Sequence, residues 1–555
     1  MYGKYIIFLL MLLPSFAAGQ GELNWNMYIK QFAFAASFSL MVVVSLFLPQ
    51  KVRQIQITWG DIFVIMLLAT YSCFYIGTSN NLDFTQPFIG FLFYFFIRIT
   101  VGNHSENIVR IFSQIVPFVI LTHIVCCLLQ FYGIIPSFHG FFKVGSTFGN
   151  PDMLGAYLAI LLPFCFIGNN RKILGLITYF LSVILLFLIQ ARTAIVAVAV
   201  VGILYLLLSG KISKKIFLFY ILLPAISGLI ALIWWHPESV VGRLFVWWIS
   251  LRMFFARPTG WGLYAFEKHY PEFQADYLSK NTFPDIFHPE VVHSSFNEFF
   301  NIGVTMGVVG LAFTLLLVAY LLFASYKERS LLLYPACAFL TISMTYFPLS
   351  IAPVAMMGIL LAALINGNCS TGSLFVIRFN GMKYWMIPLM ISVILLTWNN
   401  YHVYHQWQTA FNTKSNERFE KIYPSLKGNG RYLITWARER EIANDSIKAL
   451  SLMKEAEQFF CDNIFLRNLA LACEKNGDIE EAKLLFDKAV NMVPGDFNSS
   501  YVRILFLQRI ELHEEAYQAA IKLYQQPVRS KYYADPFIIK SKLKKIIQTY
   551  SQQEQ

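Results

Sequence analysis

Three side chains stand at the edges of apolar stretches: Arg192 in Gln190-Ala191-Arg192-Thr193, Arg243 in Arg243-Leu244-Phe245-Val246-Trp247, and His293 in His293-Ser294-Ser295-Phe296-Asn297-Glu298. A guanidinium stays charged and grips two oxygens at once, so a pair of arginines suits a phosphate or pyrophosphate. A histidine can remain neutral near pH 7 and accept a proton from an attacking hydroxyl. The combination points to group transfer on a lipid-tailed, phosphorylated substrate at a membrane surface. Plainer readings stand beside it. Arg192 could be a snorkelling anchor, and Arg243 with Trp247, four apart on one helical face, could hold a helix in the interface. A lone histidine is more often structural. His293 differs from the other histidines in its company: it is predicted to open a helix, with Asn297 one turn on and Gly303, Gly307 and Gly310 behind it. Those glycines would let helices pack closely.

Other chemistries lack their residues. The chain has no Asp-x-Asp pair, no Cys or His pair at metal spacing, no glycine loop ending in Lys-Ser/Thr and no Gly-x-Ser-x-Gly elbow. Metal-dependent sugar transfer, ATP hydrolysis and serine hydrolysis therefore lose support. No metal or cofactor is expected.

The elements that must position these residues are membrane helices. Of the 555 residues 57% are hydrophobic and 14% charged, against roughly 25% charged in a soluble domain. Residues 401–555 hold 22 Lys/Arg and 19 Asp/Glu, leaving 22 and 13 among the first 400. Most of the net charge of +12 thus lies in the apolar part, where basic loops set topology, and nucleic acid is set aside as a partner. Thirteen apolar spans are predicted, near 5–19, 28–48, 58–77, 85–101, 109–133, 153–168, 172–190, 193–209, 215–235, 298–324, 331–347, 350–367 and 383–399. The first, Lys-led and ending in small residues, reads as an anchor or a cleaved signal. With a cytoplasmic N-terminus, the inner loops carry Lys51 and Arg53, Arg110, Arg171 and Lys172, Lys211, Lys214 and Lys215, Lys327 and Arg329, and Arg378 and Lys383. The opposite loops, such as 78–84 and 134–150, are poor in Lys/Arg, as the positive-inside rule requires. The expectation is an all-α polytopic protein. Residues 1–400 form its transmembrane domain, including an outer loop at 236–297, and residues 401–555 form an outer helical domain.

That last region has the small/large pattern of a tetratricopeptide repeat: Leu466, Leu469, Ala470, Cys473, Gly477, Ala482, Phe486, Ala489 and Pro494 take the usual slots. Ala516, Ala520 and Leu523 mark a degenerate copy 34 residues on. Such an array offers a concave face to a peptide or subunit; a plain helical cap is the other reading. Cys461 and Cys473 could pair in an oxidising compartment or stay as buried thiols.

Five strings occur in order: Gly145-Ser-Thr-Phe-Gly-Asn150-Pro-Asp-Met-Leu-Gly155-Ala-Tyr157, Arg192-Thr-Ala, Arg243-Leu-Phe-Val-Trp247, Arg257-Pro-Thr-Gly260-Trp-Gly262, and His293-Ser-Ser-Phe-Asn297-Glu298 followed by Gly303-Val-Thr-Met-Gly307. Together they resemble the O-antigen ligase superfamily: lipopolysaccharide O-antigen ligases, bacterial protein O-oligosaccharyltransferases and O-antigen polymerases. The resemblance covers residues 140–325 directly. It implies transfer of a preassembled glycan from undecaprenyl pyrophosphate to an acceptor hydroxyl at the periplasmic face of the bacterial inner membrane, without metal or nucleotide. It implies that Arg192 and Arg243 contact the donor pyrophosphate and that His293 is the base. Asn297, Trp247 and Asn150 are the substrate-binding candidates. The chain departs from the family at Ser294-Ser295, where many members carry Asn or another His, and at Asp152, where Asn is frequent. The acceptor is a protein, lipid A-core or a growing O-antigen chain. A transporter with a scaffold domain is the rival of another class, and would require polar groups in mid-bilayer.

Overall fold

The computed structural model describes residues 2–19, 25–47, 53–75, 82–101, 105–138, 142–166, 172–209, 237–281, 289–368, 372–379, 382–528 and 535–553. The expected span 215–235 and the basic residues Lys51, Arg171, Lys211, Lys214 and Lys215 lie outside them. The protein is an all-α membrane protein. Its helices begin with α1 (Tyr2–Leu12), α2 (Trp25–Leu46), α3 (Trp59–Tyr75), α4 (Leu82–Val101), α5 (Ser105–Phe131), α6 (Pro151–Leu161), α7 (Lys172–Leu188) and α8 (Arg192–Leu208). There follow α9 (Pro237–Ala256), α10 (Tyr270–Lys280), α11 (Glu298–Lys327), α12 (Leu333–Ser343), α13 (Ala352–Asn368) and α14 (Met382–Thr413). The chain ends in α15 (Asn416–Leu426), α16 (Gly430–Ile442), α17 (Ser446–Ala456), α18 (Asn463–Lys475), α19 (Ile479–Met492), α20 (Phe497–Arg509), α21 (His513–Gln525) and α22 (Asp535–Gln553). Two strands, β1 (Arg53–Thr58) and β2 (Ser373–Phe379), and several short 3-10 or π turns accompany them.

The chain divides into two compact units, residues 1–235 with 296–408 and residues 236–295 with 409–555. The segment 236–295 therefore belongs with the C-terminal helices and not with the apolar ones. Twelve expected spans fall on α1–α8 and α11–α14. Among the described residues four helical stretches are long and apolar enough to cross a membrane: Asn26–Leu46, Val109–Phe131, Pro237–Ala256 and Glu298–Lys327. The others that qualify by composition are shorter.

In the first unit α6 is the centre. Every residue from Leu154 to Leu161 is buried, as fits a helix that is apolar on all sides. The first segment is packed into the same core through Ile7, Phe8, Leu10, Met11 and Leu12. The sheet was not expected: two stretches read as loops pair antiparallel, Arg53 opposite Phe379 and Ile55 opposite Ile377. Its signal was present in the alternation Gln54-Ile55-Gln56-Ile57, a period of two. Pairing brings these two segments together. Behind β1 lies a buried ion pair, Arg98 to Asp61 at 2.8 Å. Tyr94 donates to the same carboxylate at 2.7 Å, and Arg98 also reaches the Gln56 carbonyl at 2.7 Å. The expectation that Gly303, Gly307 and Gly310 serve close helix packing needs correction at Gly307. Its φ of 67° breaks α11 into two helical pieces, a conformation glycine adopts without strain. A Cβ at Gly310 would strike Met306 across that break.

The second unit stacks helical hairpins. Leu466, Leu469, Ala470 and Cys473 of α18 are buried, as are Ala482, Phe486 and Ala489 of α19, and Gly477 turns between the two helices with φ 89°. Ala516, Ala520 and Leu523 of α21 are likewise buried. Cys461 and Cys473 are free thiols, not a disulfide. Burial pushes their pKa values up to about 12 and about 11, which keeps them unreactive.

Candidate functional site

Arg192 is the first residue of α8, reached through a tight turn from α7. Gln190 ends α7 in the left-handed conformation, φ 56°, while the Ala191 N–H returns to the Leu186 carbonyl at 3.0 Å. The guanidinium is half-buried and makes no hydrogen bond or ion pair among the described residues. A cation at a helix N-terminus faces the positive end of the helix dipole, so its own helix does not stabilise it. An anion bound there would meet both charges.

The loop before α6 is built to hold the helix that flanks this turn. Gln130 accepts from the N–H groups of Gly145 and Ser146 at 3.0 and 2.7 Å. Asn26 donates to the carbonyls of Thr147 and Phe148, and His123 bonds the Ser146 hydroxyl at 3.0 Å. Ser146 holds φ 50° inside this cage, a conformation costly for a residue with a Cβ. Asn150 then caps α6, accepting from Asp152 N at 2.8 Å and Met153 N at 3.4 Å. Gly155 lets α6 lie against the turn: a Cβ there would sit 2.6 Å from Ala191 Cβ and 3.0 Å from Ala194 Cβ. The motif glycine is thus a packing residue for the backbone that carries Arg192. Lys30 and His123, polar groups inside apolar helices, were missed by the sequence reading. Both are satisfied: Lys30 donates to the carbonyls of Ser15 and Ala17, and His123 also meets Ser15 Oγ at 3.2 Å.

Arg243 and His293 lie in the second unit. Arg243 falls on the second turn of α9 and not at its start, because the helix opens at Pro237. One turn on, Trp247 donates its indole N–H to the Ser295 carbonyl at 3.0 Å. That bond fixes the chain two residues past His293 to the helix face bearing Arg243. His293 itself does not open a helix. It sits in an irregular segment, and Asn297 is the cap of α11, accepting from Phe299 N at 2.9 Å and Phe300 N at 3.3 Å. The Asn297 amide also donates to the Met344 carbonyl at 2.9 Å, so much of its hydrogen-bonding capacity is structural. Between them Phe296 carries φ 52°. Arg192, Asn150 and Asn297 belong to the first unit, and Arg243, Trp247 and His293 to the second.

Phe460 and Arg431 of the C-terminal region lie close to His293, which the sequence alone does not foresee. Its ring lies 5.4 Å from that of Phe460. His293 is exposed, yet the protein packed around its ring, and then the Arg431 charge, lower its pKa to about 4. The imidazole is therefore neutral at physiological pH and able to accept a proton. The loop is stapled to the array at several points: Cys461 N to Glu267 O at 2.8 Å, Tyr264 OH to Gly428 O at 2.7 Å, Gln274 to Met492 O at 2.9 Å, and Lys488 to Glu272 at 3.0 Å. Among the described residues one group of metal-ligating side chains comes together, Cys473, Asp478 and Glu481 on the array. Lys454 pairs with both carboxylates, at 3.7 and 2.8 Å, so their charge is already answered within the protein.

Arg192, Arg243, Trp247, His293 and Asn297 all fall inside residues 177–315, the segment that matches the O-antigen ligase family model. Over that stretch the chain is similar to the O-antigen ligase family. The match indicates glycan transfer of the ligase or polymerase type. No curated protein gives a match.

Proposed function

We propose that this membrane protein, similar to the O-antigen ligase family, transfers a preassembled glycan from undecaprenyl pyrophosphate to an acceptor hydroxyl at the periplasmic face of the inner membrane. The observation that carries the reading is that both arginines and the histidine fall within the family segment. His293, neutral at working pH, takes the acceptor hydroxyl proton as the oxygen attacks the anomeric carbon. The bond from that carbon to the pyrophosphate breaks, and the lipid pyrophosphate leaves with its negative charge stabilised by Arg192 and Arg243. The pyrophosphate is a good leaving group, so electrostatic clamping suffices for it. Attack opposite the leaving group inverts the anomeric centre. In α9, Phe245, Val246, Ile249 and Met253 are buried while Leu244, Trp248 and Phe255 stay exposed. That division supports a helix lying at the membrane interface, where the donor headgroup would be.

The stacked hairpins, read as tetratricopeptide-like repeats, favour a protein or peptide acceptor. Lipid A-core is the next choice and polymerisation of O-units the third. His293→Ala and Arg243→Ala should each abolish glycan transfer in cells while protein level and membrane insertion persist; normal transfer in both would discard the site. Glycan profiling of a deletion strain separates the acceptors: lost glycoprotein bands, lost long-chain lipopolysaccharide, or chains limited to a single unit.

A further inference from the structure

A cluster from the array lies against His293 without having been assigned a role. The Phe460 ring stands 5.4 Å from the imidazole with the planes 33° apart. Over the same phenyl ring sits the Arg431 guanidinium, its carbon 5.9 Å from the centroid, a cation–π distance. Glu267 of the loop holds both parts. Its carboxylate pairs with Arg431 at 3.1 Å, and its carbonyl accepts from the N–H of Cys461, the residue after Phe460, at 2.8 Å. Gly430 makes the approach of α16 possible, since a Cβ there would lie 2.5 Å from Phe460 Cβ.

We propose that Arg431 and Phe460 are positioning residues for His293: the phenyl ring seats the imidazole, and Glu267 fixes the guanidinium over that same ring. The idea rests on the reading of His293 as the base. Other charges stand near this cluster: Lys268, Glu272, Lys488 and Asp462 all act on Cys461, the residue after Phe460. Asp462 caps α18 close to Arg431 and Arg467, and Glu290 is exposed three residues before His293 in its own segment. Arg431 is the charge whose field on the imidazole adds to burial in disfavouring its protonated form.

The experiment reads the titration of His293 directly, with diethyl pyrocarbonate as the probe. Full-length protein in detergent is treated between pH 4 and pH 8, and modification of the His293 peptide is followed by mass spectrometry. Only the neutral imidazole reacts, so the rate profile gives its midpoint. In the unaltered protein that midpoint should lie near 4. Arg431→Gln should raise it toward the free value of about 6.5, slowing modification at pH 5 by about two- to fivefold, and Arg431→Lys should restore the low midpoint. Phe460→Leu, which keeps an apolar core residue, should lower glycan transfer in cells while the Arg431 effect on the midpoint persists. A midpoint unchanged in Arg431→Gln, with the protein monodisperse, overturns the proposal. If Arg431→Gln is poorly folded, Arg431→Lys and Phe460→Leu still decide it: a raised midpoint in the first, or full transfer in the second, refutes it. Failure of the base reading looks different: His293→Ala would transfer glycan normally whatever the titration shows.

Discussion

Substituting Gly155 tests the chain of positions from α6 to Arg192 without touching a charged group. The added Cβ in Gly155→Ala would stand 2.6 Å from Ala191 Cβ and 3.0 Å from Ala194 Cβ, whereas carbon atoms in good contact are about 3.5–4.0 Å apart. One wall must therefore yield by about 1 Å. α6 is buried along its length from Leu154, so the relief falls on the turn at Ala191 and on Arg192 next to it. Overpacking of this size costs about 1–3 kcal/mol in stability, which a well-packed unit survives. A shift of about 1 Å in a group that clamps a leaving group costs about a hundredfold in rate. The expected result is a ten- to hundredfold loss of transfer (about 1.4–2.8 kcal/mol in barrier) in a protein that still inserts and accumulates. Glycan transfer in a deletion strain carrying Gly155→Ala, normalised to membrane-extracted protein, gives the number. Unimpaired transfer would refute the link between the motif glycine and Arg192; loss of the protein from the membrane would show that the contact serves folding.

The remaining predictions concern other parts of the molecule. Arg192→Lys keeps the charge but not the two-oxygen grip, so it should retain a fraction of transfer that Arg192→Ala lacks, as measured by the same profiling. With His293 as the proposed base, transfer by the unaltered protein should hold as pH falls below 6.5 and decline only toward pH 4, where its imidazole takes a proton. The same shift has a stability sign: the unfolded histidine takes a proton first, so its contribution is complete above about pH 6.5 and is lost as pH falls toward 4. Asn297→Ala removes the cap of α11 and leaves the Met344 carbonyl without that donor; a loss of about 1–2 kcal/mol in thermal or denaturant unfolding is expected. Asp61→Ala strands the buried Arg98, which should cost about 3–5 kcal/mol and show as poor accumulation in membranes.

Much of the first unit was legible because a membrane span announces itself over some twenty apolar residues, and the spans fell on helices throughout α1–α8 and α11–α14. The buried positions of α18 and α19 were legible for a similar reason, their apolar residues recurring at helical spacing. What escaped depended on partners distant in sequence. β1 reads as a polar loop until Ile377 is found opposite Ile55. Asp61 and Arg98, 37 residues apart, carry no local mark that each supplies the other's charge in the interior. The start of α11 was placed too early because His293 and Asn297 have helical spacing, whereas the capping geometry of Asn297 decides where the helix begins. The surroundings of His293 were the least accessible to sequence. Phe460 and Arg431 lie about 140–170 residues further along, and nothing local marks them as its neighbours.

The stapling of the loop to the hairpins changes what a truncation would mean. Glu267, Tyr264 and Gln274 spend their hydrogen bonds on the array's backbone, so cutting the chain after Trp398 would strip the floor from under His293 as well as removing any acceptor cradle. A dead truncated enzyme would therefore be silent about acceptor choice. Single substitutions on the hairpins' outward faces, leaving the shared seam whole, are the changes that can separate recruitment from chemistry.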